Sequence, residues 1–286
     1  MNRQDFTTIF LPDGRKLAYA EYGDPEGVPV FFFHGFPGSR YDGEYSGQIA
    51  AEMGIRLIAP DRPGMGHSDF QPNRRLLDWP ADVCNLADTL KLDMFGVLGY
   101  SGGGPHALAC AVRIPERLKT TGVIAGVSPV TEPGALDGML RNNVQIFTLS
   151  RQVPWLLNLI YRWNNTANGE KLMRAGMAQM AKPDQTVMQN PEVLRGMAKD
   201  YKEAFRQSPR GVVHEGGLFA SDWGFKLSEI QAMVYLWQGK EDTNVPLAMG
   251  RYQASHLPNC IAKYFAGEGH ISIITHCIRE ILAVYV

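Results

Sequence analysis

The chain has almost no net charge. Its 28 lysines and arginines face 29 aspartates and glutamates, which leaves −1 over 286 residues. A protein held to nucleic acid or to an anionic membrane by charge needs a basic excess, so neither partner is expected. Long apolar runs are also lacking. None reaches the ~20 residues that a helix needs to cross a bilayer. Cysteine is scarce: Cys84, Cys110, Cys260 and Cys277 stand alone, with no Cys-x-x-Cys pair for zinc or redox work. They read as small residues kept reduced in a cytoplasm, and no metal is expected. Residues Met1 to Phe6 carry no basic stretch followed by an apolar one, so no signal peptide is expected. Repeats and low-complexity segments are absent. These absences leave a cytoplasmic protein whose partner is a small molecule, with its oligomeric state open.

What is present is an alternation. Thr7 to Leu11 and Lys16 to Tyr22 flank Pro12-Asp13-Gly14, the signature of a β-hairpin. Val28 to Phe33 is an apolar run of the kind buried on both faces of a sheet. Similar runs follow at Arg56 to Pro60, Met94 to Leu98, Thr121 to Val127, Met233 to Gly239 and Cys260 to Phe265. Helical stretches separate them, at residues 43–53, 77–92, 245–256 and 271–286, with Asp78 expected to cap the second. Strands alternating with helices predict a mostly parallel sheet with helices on both faces. From about Val130 to Ser228 the strand-like runs vanish and helical periodicity takes over. Leu136 to Phe147 marks a first helix there, and Asn190-Pro191-Glu192 opens another. The expected division is a core of residues 1–129 and 229–286, interrupted by a helical insertion at 130–228.

In such sheets ligands bind beyond the carboxyl ends of the strands. Three reactive side chains fall there, in the order Ser, Asp, His. Ser101 sits in Gly99-Tyr100-Ser101-Gly102-Gly103, between an apolar strand and an alanine-rich helix, the setting of a nucleophile elbow. Asp242 follows the run from Met233, and His270 follows the last strand. A serine hydroxyl is a poor nucleophile until an imidazole takes its proton, and the imidazole needs a carboxylate to hold its tautomer. Rivals exist for each position: Glu241 beside Asp242, Glu132 as another acid, and His276 near His270. His34 reads as a brace for its loop and His67 as a wall residue. His106, His214 and His256 have no evident partner.

These landmarks, with His34-Gly35-Phe36-Pro37-Gly38 and the loop from Asp61 to Asp69, resemble the α/β-hydrolase family over essentially the whole chain. The resemblance implies an eight-stranded sheet with a helical cap inserted after the sixth strand, and a capped serine hydrolase of the esterase or proline-iminopeptidase-like branch. It implies Ser101 as nucleophile, His270 as base and acid, and Asp242 as its orienting partner. The oxyanion hole falls on the backbone N–H groups of Phe36 and Gly102, where side-chain identity is expected to matter little. No cofactor is implied. The expected reaction is cleavage of a small, partly apolar ester or related acyl compound. The alternatives are an aminopeptidase, with Asp137, Glu170 or Glu215 holding a substrate amine, and a carbon–carbon bond hydrolase. A ligand sensor on the same fold is the alternative from another class.

Overall fold

The computed structural model describes residues 5–132, 134–164 and 169–286, so the reading of Met1 to Gln4 lies outside the described residues. Eight strands form one sheet: β1 (Thr7–Phe10), β2 (Lys16–Gly23), β3 (Val28–Phe33), β4 (Ile55–Pro60), β5 (Phe95–Tyr100), β6 (Leu118–Ile124), β7 (Val234–Gly239) and β8 (Cys260–Phe265). Their order is β1-β2-β4-β3-β5-β6-β7-β8. The first two pairings are antiparallel, and all others are parallel.

The phenylalanine run of β3 shows why the sheet is central. Val30, Phe31, Phe32 and Phe33 are all fully buried, and successive side chains point to opposite faces. Phe31 and Phe33 join one apolar cluster, Val30 and Phe32 the other. Helices cover both. α1 (Gly47–Glu52) packs on the Phe32 side, while α2 (Trp79–Thr89) and α3 (Gly104–Arg113) pack on the Phe33 side. Between β6 and β7 run α4 (Arg141–Gln152), α5 (Pro154–Asn164), α6 (Gly169–Met177), α7 (Lys182–Met188), α8 (Pro191–Ala204) and α9 (Arg210–Phe219). After β7 come α10 (Leu247–His256) and α11 (His270–Leu282), the latter supplying Ile273, Ile274, Ile278 and Ile281 to the Phe32 side.

Two local expectations need correction, and a third needs refinement. The helix expected from Leu136 begins only at Arg141, because residues 134–138 form a turn and Gly138 takes φ +81°. Asp78 holds the N-cap position of α2 as expected, but its side chain makes no capping bond to that helix. Its carboxylate instead accepts the backbone N–H and guanidinium of Arg75, three residues back. The segment at 43–53 is a 3-10 helix over Arg40–Ser46 that passes into the short α1. Asn190 does cap α8, accepting the N–H of Glu192 at 2.9 Å.

Candidate active site

Ser101 stands at the turn from β5 into α3, with φ +53°. That left-handed conformation is strained for a residue with a side chain, and it lifts the hydroxyl clear of the sheet. The flanking glycines make the turn possible. A Cβ at Gly99 would lie 2.3 Å from the carbonyl oxygen of Gly103, and one at Gly103 would lie 2.0 Å from that of Phe33.

The three predicted side chains meet. Ser101 Oγ lies 2.9 Å from His270 Nε2, and His270 Nδ1 lies 2.7 Å from Asp242 Oδ2. With Nδ1 donating to the carboxylate, Nε2 is free to accept the serine proton. Asp242 is itself held. Its Oδ1 accepts the N–H groups of Asn244 and Val245 at 2.8 Å, and its Oδ2 accepts Gln238 Nε2 at 3.1 Å. Burial disfavours a charged imidazole at His270. Asp242, with smaller contributions from Asp184 and Asp42, outweighs burial and raises the pKa above its ordinary value.

Phe36 and Gly102 are neighbours across the site. A Cβ on Gly102 would fall 2.5 Å from Phe36 Cβ. The expectation that the side chain matters little at Gly102 therefore fails: Phe36 Cβ and the Phe219 ring lie too close to admit one.

The loop bearing Phe36 is braced from behind. His34 is fully buried; its Nε2 accepts the Arg62 N–H at 3.2 Å, which leaves Nδ1 to donate to Gly35 O at 2.8 Å. The Arg62 guanidinium donates to His34 O, and to Gly35 O at 2.9 Å. Behind Arg62 lies Glu215 of α9, wholly buried and bound at 2.6 Å by Arg62 Nη2 and at 2.9 Å by Arg74 Nη2. Burial alone would raise the Glu215 pKa. Arg62, His106 and Arg74 outweigh it and hold the carboxyl well below the usual carboxylate range. His106, without an evident partner in the sequence, joins this network and lies 3.0 Å from Gly102 O through Nδ1.

Ser101 and His270 open onto a cavity of about 340 Å³. Ile146 and Phe147 of α4, Met173 of α6, Met180 in the turn between α6 and α7, and Met197 of α8 give it an apolar wall. Two carboxylates, Asp42 and Asp200, also line it, and among the described residues no lysine or arginine does. Asp42 accepts the N–H of Gly35 at 2.7 Å, and Asp200 accepts both the N–H and the hydroxyl of Ser39. Burial pushes Asp42 up to about 6 despite Gly35, Arg62 and His270, and burial with the like charge of Asp42 pushes Asp200 well above its ordinary value. A larger, open groove near α5 and α9 shares no lining residue with this cavity.

The rivals fall elsewhere. Glu241 is exposed, and His276 pairs with Glu268 at the surface. His67 stacks on Phe6, and His214 meets the carbonyl of Arg74. Glu132, Asp137 and Glu170 do not line the cavity. Sequence reasoning missed Asp42, Asp184, Asp200 and the brace of Arg62 and Glu215. Arg62 carried a signal as part of the loop after β4, and Glu215 was singled out only for holding a substrate amine.

A family profile described as alpha/beta hydrolase fold matches residues 28–276. A non-heme chloroperoxidase of Streptomyces lividans is 34% identical over 125 residues, 43% of this chain and 45% of that protein, so the match spans under half of that relative. An uncharacterized hydrolase of Bacillus subtilis, YcgS, is 25% identical over 283 residues, 95% of this chain and 93% of its own length. Among solved structures, an esterase from Exiguobacterium antarcticum superposes with a TM-score of 0.73 over 98% of both chains, at 21% identity, a likeness of fold. Among the described residues no helix is long and apolar enough to cross a membrane.

Proposed function

The chain is an enzyme of the alpha/beta hydrolase family, and on that premise we propose that it is a serine hydrolase that cleaves a small, partly apolar ester through an acyl-enzyme on Ser101. The observation that carries this reading is the pair of contacts from Ser101 through His270 to Asp242, 2.9 and 2.7 Å, at the floor of the cavity. Ser101 Oγ attacks the ester carbonyl while His270 Nε2 takes its proton. The new C–O bond pushes an electron pair onto the carbonyl oxygen, and the N–H groups of Phe36 and Gly102 receive that charge. Two such donors supply about 3 kcal/mol each of transition-state stabilisation. His270 then gives its proton to the leaving alcohol. Water attacks the acyl-enzyme by the same route and frees the acid.

The apolar wall of Ile146, Phe147, Met173, Met180 and Met197 suits an uncharged acyl group. We take residues 130–228 as the cap that shapes this wall, set on a core of 1–129 and 229–286. A fluorophosphonate probe labels Ser101, and Ser101→Ala abolishes both the label and short-chain p-nitrophenyl ester turnover. Folded wild-type protein that shows neither sinks the proposal.

One observation favours a second reading, an aminopeptidase. Asp42 and Asp200 set two carboxylates in the cavity, where a substrate ammonium would be held. Glu215, a candidate for that task in the sequence, is engaged by Arg62 and Arg74 instead. Faster turnover of aminoacyl p-nitroanilides than of the matched esters selects this second reading.

A further inference from the structure

We infer that Asp184, on the helical segment between β6 and β7, is a positioning residue for His270, holding the base by capping the helix that begins with it. The inference rests on the proposed role of His270 as the base.

The first N–H groups of a helix have no partner within it. In α11 those groups belong to His270 and the residues after it, and the preceding Gly269 has no side chain with which to cap them. Ser272 Oγ accepts the N–H of Gly269 at 2.8 Å. The next three N–H groups go to one foreign carboxylate. Asp184 Oδ2 accepts that of His270 at 2.9 Å, and Oδ1 accepts those of Ile271 at 2.8 Å and Ser272 at 2.9 Å. Asp184 is 1% exposed and, among the described residues, forms no ion pair. Among the described residues, every hydrogen bond its carboxylate accepts comes from this helix end.

The neighbouring sequence is shaped to admit it. A Cβ on Gly269 would lie 2.6 Å from each Asp184 oxygen, so the glycine is the space the carboxylate occupies. Val187 and Met188 of α7 pack with Leu194 and with Ile271, the residue after the base. Apolar contact thus fixes α7 on α11 at the point where the carboxylate caps it.

The consequence is electrostatic as well as geometric. His270 is faced by Asp242 after β7, Asp184 of α7, Asp42 of the Arg40–Ser46 turn, the Tyr100 ring and the Ser101 hydroxyl. A carboxylate at the helix start also offsets the positive end of the α11 dipole, which opposes a charged imidazole. Without Asp184, His270 loses both its backbone anchor and part of the field that favours its protonated form. The base is therefore set only while α7 rests on α11, which ties the helical segment to the chemistry.

The test is Asp184→Asn, with fold checked by circular dichroism and kinetics on p-nitrophenyl butyrate. The expected result is a kcat lower by about tenfold with KM changed less than about threefold. The acidic limb of the kcat/KM profile moves to lower pH, a shift that a purely structural role does not produce. Unchanged kcat and an unchanged limb in folded protein overturn the inference, as does a raised KM at constant kcat. If Asp184→Asn does not fold, Gly269→Ala, which drives the carboxylate off the helix end, is read in the same way. NMR titration of the His270 imidazole separates the two proposals. If wild type shows no label and no turnover, the serine hydrolase reading fails, but a lower His270 pKa in Asp184→Asn still supports the cap, and an unchanged one overturns it.

Discussion

Arg62 Nη2 donates to the carbonyl oxygen of Gly35 at 2.9 Å, and the same peptide unit carries the N–H of Phe36. A guanidinium on the oxygen fixes the plane of that peptide and polarises its N–H, the proposed oxyanion donor. Arg62→Lys keeps the charge but loses the fork that also reaches His34 O and Glu215. Its kcat on a short-chain ester should fall by about tenfold with KM little changed, because the lost contact matters most as negative charge develops. Steady-state kinetics checks this.

Glu215→Gln leaves two buried guanidiniums, Arg62 and Arg74, without their countercharge. Breaking a buried ion pair from one side costs about 3–5 kcal/mol. The melting temperature should drop by roughly 6 °C or more. Thermal denaturation followed by circular dichroism measures it, and a shift under a degree or so would show that the network contributes little.

Gly102→Ala tests the close approach of Phe36 Cβ to Gly102, the two proposed oxyanion residues. The new Cβ meets Phe36 Cβ at 2.5 Å, and also Phe219 at 3.2 Å, so Phe36 must move. Loss of one donor's alignment costs about 10²-fold in kcat. Labelling by a fluorophosphonate should slow in parallel, since it also develops charge on oxygen in that hole.

The pH dependence follows from the raised pKa of His270. As the proposed base, His270 works only with Nε2 unprotonated, so activity should fall as pH drops through that pKa. The acidic midpoint of kcat/KM should therefore lie above the ~6.5 of ordinary imidazole. A midpoint below it would contradict the balance described, in which Asp242 and its companions outweigh burial.

Acyl groups that bear a carboxylate should be poor substrates. Among the described residues the cavity lining has no lysine or arginine, and Asp42, pushed up to about 6, is ionised at pH 8. A like charge at this range costs about 1–3 kcal/mol, or tenfold and upward in kcat/KM for a hemisuccinate against a pentanoate ester. Asp42→Asn should narrow that ratio.

The division of labour between sequence and tertiary structure is visible in particular residues. Ser101, Asp242 and His270 were legible because each follows an apolar strand, and the ends of parallel strands converge on one edge of a sheet. Gly99 and Gly103 were legible because a tight turn needs them locally. Asp78 was placed correctly at the N-cap, but its side chain turned to an equally local partner, Arg75, rather than to the helix. Asp42, Asp184 and Asp200 were not legible at all, and Glu215 stood out only as a possible holder of a substrate amine. Each is an ordinary acid on a helix or turn, and its role depends on groups far away in the chain: Asp184 on the start of α11, and Glu215 on Arg62 and Arg74. The sequence by itself determined the sheet, the order of its strands' reactive ends and the family, because periodicity and turn chemistry act over a few residues. Only the tertiary structure decided what holds His270 and the Phe36 loop in place and which walls enclose the cavity over Ser101, because those depend on which distant surfaces pack together.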